Sequence, residues 1–93
     1  MEIQHEQDDD GGEFFIEEHG ERIADLTYAL SVGIINIRHT GVDETLKGRG
    51  VGKHLVSEAV RFARERGLKV QASCSFARAL LAKIPEFADV RAD

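Results

Sequence analysis

The feature that most constrains this chain is a glycine-rich turn between a β-strand pattern and an amphipathic helix. It reads Lys47-Gly48-Arg49-Gly50-Val51-Gly52-Lys53. A helix that begins directly after such a turn points its unpaired N–H groups and the positive end of its dipole at one spot. Because glycine keeps side chains away, an anion can come close to the backbone. The turn therefore predicts a cradle for a phosphate or pyrophosphate group.

Two familiar phosphate-binding motifs do not fit this turn. A Walker A loop needs glycine, four residues and then Gly-Lys-Ser/Thr, but Lys47 stands at the first glycine and His54 at the hydroxyl position. The dinucleotide fingerprint needs a further glycine where Lys53 stands. An ordinary glycine-rich turn before a helix remains the alternative to an anion cradle.

The length and composition indicate one folded domain in a reducing setting. A chain of 93 residues with 42% hydrophobic content is expected to form a single domain, here residues 1–93, rather than a disordered segment. Neither a long apolar run nor a signal-like start is visible, so no membrane span or secretion is expected. The single cysteine, Cys74, rules out an internal disulfide and fits a cytoplasmic location.

The charge is distributed unevenly. Residues 1–25 contain ten Asp/Glu and one Lys/Arg, whereas residues 47–83 contain nine Lys/Arg and two Asp/Glu. An acidic chain with a basic second half is poorly suited to nucleic acid and well suited to holding a compact polyanion. We expect no nucleic-acid or membrane partner. His5, His19, His54 and Cys74 have no metal-ligand spacing, so no metal site is expected.

Period-two patterns predict an antiparallel meander in the first half. Turns are expected at Gln7–Gly12, His19-Gly20 and Ser31–Gly33. The predicted strands between them are Met1–Glu6, Glu13–Glu18, Glu21–Leu30 and Ile34–Val42.

The second half has helical periodicity. Val51, Leu55, Ala59 and Phe62 lie on one stripe of a helix that Gly67 ends. A short strand, Leu68–Ala72, is then expected to lie parallel to Ile34–Val42 by a right-handed crossover. A second helix follows over Ser75–Ile84, capped by Ser73 or Ser75 and stopped by Pro85, after which Phe87 and Val90 return to the sheet.

This order of elements and motifs resembles the GNAT acyltransferases, whose pyrophosphate motif is Gln/Arg-x-x-Gly-x-Gly/Ala. Here Lys47 takes the first position, which keeps the charge but not the planar hydrogen bonding. The chain most resembles the minimal GNAT-like N-acetyltransferase group, which carries His-Thr-x-Val, a later Cys and a closing His-Pro-Glu-Tyr. The corresponding segments are His39-Thr40-Gly41-Val42, Cys74 and Ile84-Pro85-Glu86-Phe87.

The resemblance implies an α/β fold in which the two parallel strands splay apart and admit the arm of acetyl-coenzyme A. Acetyl-CoA would be the cosubstrate, and an amine of a small molecule or a protein lysine the acceptor. The implied cofactor-binding residues are Thr40, Gly41 and Val42 on the strand and Lys47, Gly48, Arg49, Gly50, Val51, Gly52 and Lys53 in the turn.

Acetyl transfer to an amine needs removal of a proton, stabilisation of the carbonyl oxygen and departure of a thiolate. His39, with a reference pKa of about 6.5, suits a general base near neutral pH, and a backbone N–H near Val42 suits the carbonyl. Cys74 either protonates the leaving thiolate or carries the acetyl group itself. The alternatives are a structural histidine and a small buried cysteine.

Two other functions stay open at this point. One is a non-catalytic module that binds or senses coenzyme A, and the other is a small protein-interaction domain with a vestigial turn. We expect a monomer or a weak homodimer, because a domain of this size buries a modest fraction of its surface.

Overall fold

A computed structural model describes residues 2–92 of the chain. Over this range the chain forms a five-stranded sheet in the order β1-β2-β3-β4-β5, with two helices and two 3₁₀ turns, Glu44–Leu46 and Pro85–Phe87. The elements are β1 (Gln4–Gln7), β2 (Gly11–Glu18), β3 (Glu21–Ser31), β4 (Ile34–Val42), α1 (Val51–Arg66), β5 (Lys69–Ala72) and α2 (Ser75–Lys83).

The antiparallel meander and the parallel final strand are as predicted. β1 to β4 pair antiparallel in sequence order, and β5 pairs parallel with β4. The first turn is shorter than predicted, because Gly11 and Gly12 belong to β2. The Asp8 carboxylate closes this turn by accepting hydrogen bonds from the N–H groups of Asp10 and Gly11. Of the predicted first strand, Met1 lies outside the described residues.

Helix α1 packs its apolar face on the sheet. Leu55, Val56 and Val60 are fully buried and share one core with Ile35 and Ile37 of β4. Burying side chains of this size contributes about 1.5–3 kcal/mol each. The helix begins at Val51, inside the glycine-rich turn rather than after it. Its start is the predicted phosphate cradle, so the position of this helix also fixes the position of the cradle.

The C-terminal segment covers the outer side of β5. Phe87 and Val90 are buried, as predicted, and the N–H of Val70 donates to the carbonyl of Val90. Helix α2 ends at Lys83, just before Pro85. The predicted serine caps are wrong: Cys74 is the N-cap of α2, and its side chain makes no cap hydrogen bond.

Strands β4 and β5 run together for only four residues and then separate. Their pairing ends at Ile37 and Ala72, after which the N–H groups of Ser73 and Cys74 both donate to the Ile37 carbonyl. This turns the chain away from β4 and into α2. The second half of β4, from Arg38 to Val42, therefore has no β5 neighbour, as the resemblance implied.

A bulge in β4 changes which side chains face α1. Ile37 pairs with Tyr28 and His39 pairs with Thr27, so Arg38 is the extra residue. Strict alternation from Ile37 would put His39 on the α1 side. With the bulge, Thr40, which pairs with the buried Leu26, lies on that side instead.

Candidate active site

A cleft of about 540 Å³ opens where β4 and β5 separate. It lies between the second half of β4, the start of α1 and one side of α2. Its walls are formed by Thr40, Val42, Leu46, Lys47, Gly48, Gly50, Val51, Gly52, Lys53, Phe76 and Leu80. The cleft thus joins the glycine-rich turn to the open edge of β4.

The glycine-rich turn leaves its backbone accessible. Gly48 and Gly50 have left-handed φ values of 84° and 73°, and a Cβ at either position would meet nothing within 4 Å. The first helical hydrogen bond runs from the N–H of His54 to the Gly50 carbonyl, so the preceding N–H groups of the first turn have no partner within the helix. This end of the cleft can therefore accept an anion.

Gly52 is glycine for a different reason. A Cβ on it would lie 2.7 Å from Cζ of Phe76, so the ring of Phe76 packs directly on the start of α1. Phe76 is nevertheless 45% exposed. Three apolar residues of the cleft wall were not among the predicted site residues: Leu46, Phe76 and Leu80. Leu46 and Phe76 could have been found by their proximity to motif residues, since Leu46 directly precedes Lys47 and Phe76 follows Cys74 by two residues. No such signal pointed to Leu80.

Cys74 lies beside Thr40 at the point where the strands part. It is half-buried, with its Sγ 3.7 Å from the Thr40 hydroxyl oxygen. Burial by itself favours the neutral thiol. Hydrogen bonds from the backbone of Ala77, from the Thr40 side chain and from the backbone of Phe76 outweigh that effect and lower the pKa of the Cys74 thiol. A thiol in such surroundings gives up its proton more readily than a free one.

His39 lies on the other side of β4. Its side chain is 60% exposed, and its Nε2 is 3.6 Å from Oδ1 of Asp25. It does not line the cleft, and neither do Gly41 and Arg49 among the predicted residues. The remaining predicted binding residues of β4 and the turn do line it, and Cys74 contacts one of them, Thr40.

Residues 2–92 contain neither a metal-holding cluster nor a membrane-spanning helix. No group of three or more His, Cys, Asp or Glu side chains in this range is arranged to hold a metal ion. Neither helix there is long and apolar enough to span a bilayer.

The family model described as GCN5-related N-acetyl-transferase matches residues 13–90. This stretch includes the strands, the glycine-rich turn and Cys74. The chain belongs to the GCN5-related N-acetyltransferase family. Both the expected family and the expected α/β fold with splayed parallel strands are thereby confirmed.

Several known proteins are similar to this GCN5-related N-acetyltransferase chain. A GCN5-like protein of Staphylococcus aureus, assigned as an N-acetyltransferase and solved by NMR, is 40% identical with a TM-score of 0.76, covering 96% of this chain and 87% of that one. Human protein NATD1 is 39% identical over 41 residues, which is 44% of this chain and 36% of NATD1. The match thus spans little more than a third of that relative.

A third similarity concerns the fold alone. A protein of Bacillus anthracis str. Ames, assigned as a streptothricin acetyltransferase and solved in complex with acetyl coenzyme A, has 19% identity and a TM-score of 0.59. The matched region covers 70% of this chain and 38% of that one. A fold of this kind therefore accommodates acetyl-coenzyme A in at least one member.

Proposed function

We propose that this chain binds acetyl-coenzyme A in the cleft and transfers its acetyl group to an amine. The observation that carries the proposal is the separation of β4 and β5 next to the glycine-rich start of α1. In open sheets, ligands bind where neighbouring strands diverge at their carboxyl ends. Here an anion site and a slot for a long, thin ligand arm are parts of one cleft.

The turn would hold the diphosphate of the carrier. The space beside Gly48 and Gly50 is clear, and the backbone N–H groups at the start of α1 supply hydrogen-bond donors. The side chains of Lys47 and Lys53 line the same cleft and add positive charge. The Lys47 ammonium also lies 3.2 Å from Glu44, so a bound diphosphate would compete with that exposed carboxylate.

The rest of the cleft fits the aliphatic arm that links the diphosphate to the thioester. The β4 backbone from Thr40 to Val42 pairs with β3 on one side and has no β5 partner on the other, so the polar groups on that open side can pair with amides of the arm. Phe76, Leu80 and Leu46 supply an apolar wall opposite. Burial of the arm against this wall would add hydrophobic stabilisation to the electrostatic binding of the diphosphate by the turn.

The thioester would then lie near Cys74 and Thr40. In direct transfer, the amine nitrogen forms a bond to the carbonyl carbon, and the C–S bond breaks with its electron pair going to sulfur. The amine would approach from the face of the sheet on which His39 lies, through the gap beside β4 where β5 no longer pairs. His39 would then take the proton from nitrogen, and the Cys74 thiol would give one to the departing thiolate. Alternatively, the Cys74 thiolate attacks the thioester carbon first, and coenzyme A leaves as its thiolate. The amine then attacks the acetyl-cysteine, the Cys74 sulfur leaves with the electron pair of the C–S bond, and the proton from nitrogen passes to His39. The lowered pKa of Cys74 suits both roles.

Titration of the ¹⁵N-labelled protein with acetyl-coenzyme A, followed by NMR, tests the binding step. We expect the largest shifts at the amides from Gly48 to Lys53 and at Thr40 to Val42. Acetyl-pantetheine, which lacks the diphosphate, serves as a matched probe that should shift the β4 amides but not those of the turn. A wild-type spectrum unchanged by acetyl-coenzyme A would exclude the proposal and favour a protein-interaction domain.

Mass spectrometry tests the transfer step. We expect acetylation of an added amine panel that depends on acetyl-coenzyme A and falls in Cys74→Ala. An acetyl adduct on the wild-type protein that is absent in Cys74→Ala supports the covalent route, whereas a fall in turnover without an adduct supports the acid role. Binding without transfer to any amine would identify a non-catalytic coenzyme A-binding module.

A further inference from the structure

The Asp25 carboxylate and the His39 imidazole lie 3.6 Å apart on the face of the sheet that points away from α1. The bulge at Arg38 puts His39 on this face, opposite Thr27 of β3. Asp25 is two residues before Thr27, so it is the diagonal neighbour of His39 across the two strands. The Asp25 side chain is 31% exposed and that of His39 60%. The carboxylate is therefore the more enclosed partner, and the imidazole is accessible to a substrate.

Gly41 provides the space in which the two side chains meet. It is the direct cross-strand partner of Asp25. A Cβ on Gly41 would lie 2.9 Å from Nε2 of His39 and 3.0 Å from Oδ1 of Asp25. Any larger residue would push the ring and the carboxylate apart. The absence of a side chain at position 41 is therefore a condition for the Asp25–His39 pair.

We propose that Asp25 is a positioning residue for His39 in acetyl transfer, an inference that rests on the proposed function. Asp25 faces Nε2, which leaves Nδ1 of the ring for an amine that approaches from this face, through the gap beside β4 where β5 no longer pairs. When the amine nitrogen bonds to the thioester carbon, the C–S electron pair goes to sulfur and one proton passes from nitrogen to Nδ1. The imidazolium formed is then stabilised by the Asp25 carboxylate, which exchanges no proton itself.

The alternative to a positioning role is a surface contact between the two side chains that has no part in catalysis. The 3.6 Å separation is longer than a direct hydrogen bond, although catalytic hydrogen bonds often tighten only when substrate binds. The two cases differ in whether the effect of replacing Asp25 on kcat depends on the presence of His39. A positioning residue acts through His39, so its removal has no effect once His39 is gone.

A double-mutant cycle in kcat measures this dependence. We expect His39→Ala to lower kcat roughly 100-fold, at the lower end of general-base effects, and Asp25→Asn to lower it by roughly tenfold through loss of orientation and charge. Asp25→Asn added to His39→Ala should change kcat no further. Asp25→Glu should restore part of the rate, and the exposed control Glu18→Gln should leave it unchanged. The KM for acetyl-coenzyme A should stay constant throughout.

Equal loss from Asp25→Asn in both backgrounds, or no loss with His39 present, would overturn the proposal. NMR decides the geometric part without any turnover. The wild-type protein should give a contact between the His39 ring and the Gly41 α-protons that Asp25→Ala loses, and persistence of that contact would also overturn the proposal. A wild-type protein that acetylates no amine overturns the proposed function instead, and this outcome is separate because the ring contact is measured on the free protein.

Discussion

The glycines before α1 meet different requirements. Gly50 caps the helix with a left-handed backbone, φ 73°, and has open space beside it. Gly52 lies within the first helical turn, and its missing side chain is replaced by the ring of Phe76. Gly50 is therefore needed for backbone geometry, and Gly52 is needed for packing. A single motif thus combines two physical constraints that substitutions can separate.

We expect alanine to affect these two glycines differently. Gly50→Ala forces a left-handed alanine and should lower the free energy of unfolding by about 1–2 kcal/mol. Gly52→Ala should affect stability less, because the exposed Phe76 ring can move aside, yet it should weaken coenzyme A binding by displacing the cleft wall. Urea unfolding and calorimetric titration measure the two quantities. Gly50→Asn, which tolerates a left-handed backbone better, is the control; equal destabilisation by asparagine would contradict the backbone explanation.

The Thr40 hydroxyl is one of the groups that lower the pKa of Cys74. Thr40→Val keeps the shape of the side chain and removes that hydrogen bond. We expect iodoacetamide to alkylate Cys74 roughly 2–10-fold more slowly at neutral pH, the factor that corresponds to a hydrogen bond of about 0.5–1.5 kcal/mol. Thr27→Val, on the opposite face, serves as the control. An unchanged alkylation rate in Thr40→Val would mean that the backbone donors alone set the reactivity of the thiol.

At the scale of elements, β1 is an exposed edge strand that pairs with β2 and whose His5 ring packs on the core. The His5 ring stacks on Phe14 with centroids 4.0 Å apart, and its Nε2 lies 2.6 Å from the Tyr28 hydroxyl. Burial and then the charge of Arg66 lower the pKa of His5, against a smaller opposing effect of Glu58. Burial also raises the pKa of Tyr28 to about 12. The packing of β1 therefore favours an uncharged pair of rings.

This arrangement predicts that stability depends on pH through His5. Its pKa in the folded protein lies below that of the unfolded chain, so the unfolded chain takes up the proton first. The contribution of neutral His5 is complete above about pH 6.5 and declines as the pH falls below that value. Urea midpoints measured between pH 7.5 and 5 should fall accordingly, and amide exchange in β1 should accelerate.

The control for this prediction is His5→Phe, which keeps an aromatic ring over Phe14 but cannot titrate. Its urea midpoint should vary less with pH over the same range. A pH dependence equal to that of the wild-type protein would assign the effect to other groups. The comparison also reports whether the stacking or the hydrogen bond to Tyr28 contributes more at neutral pH.

At the scale of the whole molecule, one core supports both the sheet and the cleft. Leu55 of α1 is fully buried among Leu26, Ile35 and Ile37 of the sheet. The helix that this core holds against the sheet is the one whose start forms the anion site. The geometry of the cleft is therefore set by packing at some distance from the glycine-rich turn.

Leu55→Ala should lower the free energy of unfolding by about 2–5 kcal/mol, because it removes buried methyl groups and leaves a cavity. That is a large share of the about 5–15 kcal/mol typical of a whole domain. Chemical denaturation measures the loss. Val32→Ala is the matched control, since Val32 is wholly exposed and should change stability by no more than about 0.5 kcal/mol. Similar losses at both positions would contradict the described core.

Much of the fold could be predicted because its signals are local. Alternation in Glu21–Leu30 indicated a strand, and the stripe through Val51, Leu55 and Ala59 indicated the buried side of α1. The glycine-rich turn indicated its own position before a helix. The bulge at Arg38 could not be predicted, since it arises from the register of two strands rather than from the local pattern. The packing of Phe76 on Gly52 joins residues of two helices and left no pattern in the chain.

The sequence by itself determined the order of strands and helices, the cradle-forming turn and the family, because each depends on residues close together in the chain or on an ordered set of motifs. Only the tertiary structure decided which side of β4 each side chain occupies and which of them meet. It put Thr40 beside Cys74 at the cleft and His39 beside Asp25 on the opposite face. The reason is that side-chain direction in a strand reverses with a single extra residue, and strand register is set by the packing of the whole sheet.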